Sequence, residues 1–77
     1  MNVISTRVSP IYGVVALVEN APKSGLLPGV MVHQGRHAWK IMSLEQANAS
    51  RMKRSVELCL RPESGSPESP EVGLLEL

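Results

Sequence analysis

Three stretches of this chain carry a strand-like pattern of apolar positions, two of them alternating and one apolar throughout, and glycine and proline mark the intervals between them. Residues 2–8, Asn-Val-Ile-Ser-Thr-Arg-Val, place Ile4, Thr6 and Val8 on one face and Val3, Ser5 and Arg7 on the other, which predicts a strand ended by Pro10. Ile11 to Val18 is apolar on both faces, with Ile11, Gly13, Val15 and Leu17 on one side and Tyr12, Val14, Ala16 and Val18 on the other. Such a run is a central strand covered on both sides, or one that bends around a small barrel at Gly13. Ser55 to Arg61 alternates cleanly, Val56, Leu58 and Leu60 against Glu57, Cys59 and Arg61.

Between these strands lies Gly25 to Ser43, which reads as a turn, a strand, a second turn and a second strand. Gly35 suits the first central position of a type II′ turn, where φ is positive, so Gly35-Arg36 is the expected two-residue loop. That register sets Val32 opposite Trp39 and Val30 opposite Ile41 on one face, with Met31 opposite Lys40 and His33 opposite Ala38 on the other. A loop one residue longer would pair Met31 with Trp39 and scatter the valines. The shorter loop gathers the four largest β-favouring side chains and is preferred.

Two intervals carry no strand signal. Glu19 to Gly29 holds Asn20, Pro22, Ser24, Gly25, Pro28 and Gly29 and is a connection, with Leu26 and Leu27 expected to plug the edge of the core. Ser43 to Arg54 lacks β-branched residues and opens with the capping pattern Ser43-x-x-Gln46, so a short helix near 44–53 and a basic loop both remain open.

Past Arg61 the pattern changes. Pro62 to Glu71 repeats Pro-Glu-Ser and buries too little apolar surface to offset its ordering entropy, which predicts a mobile linker. Val72 to Leu77 is apolar again and either returns as a last strand or serves as a binding end. The expected division is a small β domain over 1–61, a linker over 62–71 and a terminal apolar segment over 72–77.

Composition narrows the reading. Seventy-seven residues make one domain near the lower size limit for independent folding. With no Phe, one Trp and one Tyr, the core must be built from Val, Leu, Ile and Met. A single cysteine, Cys59, excludes an intramolecular disulfide and a Cys-based zinc site. No run approaches the ~20 apolar residues of a membrane span, and no signal peptide is visible, so a cytoplasmic protein is expected. The net charge of +1 conceals an asymmetry: all eight Lys and Arg precede Pro62, where only Glu19, Glu45 and Glu57 oppose them, and four glutamates follow. A basic body with an acidic tail suits a polyanion partner or a solvated surface that the tail partly neutralises.

Chemistry has few candidates. His33 and His37 are four apart, but the hairpin register turns them to opposite faces and no third ligand is near, so neither a metal nor another cofactor is expected. The chain has no Asp, no phosphate-binding glycine loop and no nucleophile elbow, so no enzyme is expected. Cys59 is expected to be an inert thiol. The candidate nucleic-acid-binding residues are Lys40, Arg51, Lys53 and Arg54, a cationic cluster with Arg36 nearby. The candidate partner-binding residues are Val72, Leu74, Leu75 and Leu77.

Gly13-Val14-Val15 with Leu17-Val18-Glu19, Ser24-Gly25-Leu26-Leu27-Pro28-Gly29-Val30, Trp39-Lys40-Ile41 and Val56-Glu57-Leu58-Cys59-Leu60-Arg61 follow one another in an order that resembles the β-barrel second domain of translational GTPases. The resemblance implies a barrel and, by analogy, contact with RNA or the ribosome. Ser24 stands where that family has its turn glycine, and Met52-Lys53-Arg54 replaces a Gly-Asp step. The turn from Asn20 to Val30 is also similar to one in the barrel of membrane-fusion adaptor proteins.

The expectation is a mainly β protein, a small antiparallel barrel or curved sheet of five to six strands, with α+β as the alternative. The expected function is a non-enzymatic protein-interaction or assembly module, binding a protein partner or a second copy through a sheet edge and the terminal segment. The alternative is a small barrel contacting RNA through its basic patch.

Overall fold

The computed structural model describes residues 1–11, 13–46 and 55–77. Its centre is the hairpin of β3 (Met31–Gln34) and β4 (His37–Gln46). Gly35 has a φ of 61° and Arg36 keeps a negative φ, the signature of a type II′ turn, which twists with the flanking strands. The register follows: Val32 pairs with Trp39, Met31 with Lys40, His33 with Ala38 and Gln34 with His37. At the far end Ile41 donates its N–H to the Val30 carbonyl at 2.9 Å and accepts from the Gly29 N–H at 2.7 Å. Gly29 and Val30 thus both face Ile41, a bulge that the positive φ of Gly29 permits.

Four further strands complete the sheet: β1 (Asn2–Ser9), β2 (Gly13–Glu19), β5 (Val56–Pro62) and β6 (Gly73–Leu74). The order is β3-β4-β5-β2-β1-β6, and every neighbouring pair is antiparallel. The two outer strands almost meet. His33 and Glu76 exchange both backbone hydrogen bonds, at 2.6 and 2.9 Å, so the sheet nearly closes into a six-stranded barrel. The described residues contain no helix. Of the segment expected as helix or loop near 44–53, Leu44 to Gln46 continue β4, paired with Leu58, Glu57 and Val56, and residues 47–53 lie outside the described residues.

The core is aliphatic around one indole. Trp39, Ile41, Val32, Leu58, Val3, Val18 and Leu75 are fully buried, and Val30, Leu44, Val56 and Met1 pack against them. Leu26 joins this cluster, whereas its neighbour Leu27 is exposed, so one of the two leucines plugs the core edge. In β1 the register slips between Val3 and Ser5, leaving Ile4 as an extra residue. The slip resets the faces, so that Val3, Thr6 and Val8 lie opposite Val18, Ala16 and Val14 in place of the simple alternation expected.

The stretch expected as a mobile linker is tied to the hairpin. The Glu63 N–H donates to the Ala38 carbonyl at 3.0 Å, the Ala38 N–H to Ser66 Oγ at 2.9 Å and Trp39 Nε1 to the Pro67 carbonyl at 2.9 Å. Gln34 clamps its far end, donating from Nε2 to the carbonyls of Glu71 and Leu74 and accepting the Glu71 N–H on Oε1. These bonds are polar, which is why an apolar-burial argument did not foresee them.

Candidate interaction surfaces

β1 carries eight residues, yet only Asn2 and Val3 pair with β6 on its outer edge. The chain after Pro62 leaves the sheet to reach Gln34, and so no described strand covers the edge from Ile4 onward. Residues 4–8 are exposed throughout, Val8 to 68% although it faces the same way as buried Val14. This is a strand end that projects past the closed part of the barrel, roughly 15–20 Å of edge by strand geometry. Ile4 and Val8 on the strand, Ile11 in the turn after it, and Val72 and Leu74 beside its start are all exposed apolar residues.

The outward face of β4, β5, β2 and β1 is ordered in rows by the register. One row is Glu45, Glu57, Leu17 and Ser5, the next Ser43, Cys59, Val15 and Arg7. At the far end Lys40 stands directly opposite Arg61. Arg7 reaches over β2 to Glu57, Nη2 to Oε2 at 3.2 Å, and its cross-strand partner Val15 is only 4% exposed although it occupies an outward position. Both partners of that ion pair are solvated, so it adds little stability. A cleft of about 110 Å³ remains, lined by Arg7, Val15, Ser43, Glu45, Glu57 and Cys59.

The residues singled out from sequence are distributed unevenly over these surfaces. Lys40 is exposed on β4, while Arg51, Lys53 and Arg54 lie outside the described residues. Arg61, which sequence pattern alone did not group with them, is the cation that the β4–β5 register sets against Lys40. Of the terminal residues, Val72, Leu74 and Leu77 are exposed, but Leu75 is wholly buried in the core and cannot serve a partner, because the strand period that turns Leu74 outward turns Leu75 inward. His33 and His37 fall at adjacent cross-strand positions and so on opposite faces; the His37 ring meets Trp39 edge-on at 6.3 Å. Among the described residues, no group of three or more His, Cys, Asp or Glu converges on a point where a metal could sit. No described helix is long and apolar enough to cross a membrane.

Fold and surface together define a small, nearly closed, antiparallel β barrel. Comparison with known protein families, with curated proteins and with solved structures finds no match. The fold agrees with the expected barrel, and no family or homologue match supports the likeness to the second domain of translational GTPases.

Proposed function

We propose that the chain is a cytoplasmic, non-enzymatic interaction module whose protein partner adds an extended segment to the outer edge of β1. The observation that carries this reading is the exposed run from Ile4 to Val8, unpaired on its outer side among the described strands. An edge of this kind presents main-chain donors and acceptors for an added strand, and natural proteins that do not use such edges shield them with charge, proline or a covering loop. Here Pro10 lies beyond the strand, and the one charge on it, Arg7, is held over the opposite side by Glu57. Exposed Ile4 and Val8 supply the side-chain contacts.

The test is selection of short displayed peptides on the immobilised chain, followed by amide exchange of the complex. Peptides of alternating apolar character are expected, protecting residues 4–8, with affinity falling about tenfold or more in the Ile4→Lys or Val8→Lys chain. Ligands that protect only other residues, or that bind the lysine variants equally, would overturn the reading.

A second reading, contact with RNA or another polyanion, draws on Lys40 and Arg61 lying opposite one another on an exposed face, and on the likeness to the GTPase barrel. It requires retention on heparin at low salt that falls steeply as salt rises.

A further inference from the structure

The outward residues of β5 read Glu57, Cys59, Arg61, and beside them those of β4 read Glu45, Ser43, Lys40, with Met42 taken up by the bulge between Ile41 and Ser43. Glu57 faces Glu45 directly, and Arg61 faces Lys40 directly. Like charges opposed across an antiparallel ladder are destabilising. This face holds two such pairs of opposite sign, four residues apart on β5 or about 13 Å, with only small or neutral side chains between them. Arg7 relieves Glu57, but Glu45, Lys40 and Arg61 have no ion-pair partner among the described residues.

We propose that this face is the interface of a homodimer, in which a second copy stacks face to face about a two-fold axis running across the strands at the level of Cys59. Rotation about that axis lays each strand over its own copy in the reverse direction. The row Glu45–Glu57 then lies over the row Lys40–Arg61 of the second copy, and the converse contact repeats on the other side of the axis. On β4 and β5 the small or neutral residues Ser43 and Cys59 occupy the axis itself, where each must meet its own copy, while Arg7 at the β1 end of the same row leans away from the axis toward Glu57. A two-fold axis along the strands would instead set acid on acid and base on base.

A polyanion fits this face less well, because one lying along the strands past Lys40 and Arg61 runs into Glu57 and Glu45. The like-charge pairs that weaken the monomer's ladder become the complementary contacts of the dimer, each glutamate of one copy meeting a cation of the other. Because these contacts are rim-like and solvated, the association is salt-sensitive.

Sedimentation of the full chain across a concentration series tests the proposal. A dimer is expected at low salt, dissociating as salt rises. Lys40→Glu and Glu45→Lys alone each raise the dissociation constant about tenfold or more, and the double variant Lys40→Glu/Glu45→Lys returns it to within about threefold of the parent. Both side chains are exposed, and unchanged far-ultraviolet dichroism establishes that each variant folds. Three results would overturn the proposal. One is a chain that stays monomeric at low salt. Another is a dimer that the single and double variants weaken alike, or that only Val8→Lys weakens, which would move association to the β1 edge. The last is loss of heparin retention in Lys40→Glu with self-association unchanged, which would give the cations to a polyanion.

Discussion

Leu75 shows how much one side chain near the end of the chain contributes. It donates its N–H to the Met1 carbonyl at 2.9 Å, accepts from the Met1 ammonium at 3.3 Å, and is fully buried among Val3, Val18, Trp39 and the rest of the core. Its neighbour Leu74 has the same hydrocarbon content but points to solvent. Leu75→Ala is expected to cost about 2–5 kcal/mol, since the space it leaves is walled by a rigid barrel, whereas Leu74→Ala should stay within about 0.5 kcal/mol. Urea denaturation followed by Trp39 fluorescence separates the two; equal effects would mean that Leu75 is not a core residue.

At the level of elements, one connection and one strand decide what the surface offers. The first is the Pro-Glu-Ser stretch, whose end Gln34 holds against the hairpin tip through two hydrogen bonds to Glu71, with a third to Leu74 just beyond it. All three are solvent-exposed, so each is worth at most about 1 kcal/mol. Gln34→Ala should therefore leave global stability nearly unchanged while the Glu71 amide exchanges several times faster, a local opening that exchange mass spectrometry reads directly. The second is β1, whose projecting edge exists because this same stretch is drawn to Gln34 and does not run on beside Ile4. The strand-addition proposal and its lysine variants belong here. The main-chain hydrogen bonds come from the element, and a single side chain can only permit or obstruct them.

For the whole molecule, closure matters more than any one strand. β6 is only two residues long, yet it joins Asn2 and Val3 on one side, and the bridge just beyond it joins His33 on the other. A chain truncated after Pro62 loses that seam, the core leucine and the bond that satisfies Trp39 Nε1. It is expected to lose its cooperative unfolding transition, seen as a broad, shallow denaturation curve. A truncated chain that still unfolded sharply would show the 1–61 region to be an independent domain. The proposed dimer also belongs to this scale, since its charge pattern pairs residues of two strands, Glu45 with Glu57 and Lys40 with Arg61, that are well separated in sequence.

The sequence alone determined the elements whose information is local. The type II′ turn at Gly35 and the resulting pairs Val32 with Trp39 and Met31 with Lys40 follow from one residue's freedom at positive φ and from the period-two pattern. The alternation of β5 likewise appeared in the chain before it appeared in the sheet. What tertiary structure decided depended on distant partners. Whether Leu74 or Leu75 enters the core is settled by where Met1 and His33 lie. That the polar stretch after Pro62 is held in place depends on Gln34, Ala38 and Trp39 presenting hydrogen-bonding groups along its path, and hydropathy carries no record of such geometry. Arg61 joins Lys40, and Glu57 joins Glu45, only through the β4–β5 register with its bulge at Met42, because cross-strand neighbours are chosen by pairing and not by proximity along the chain.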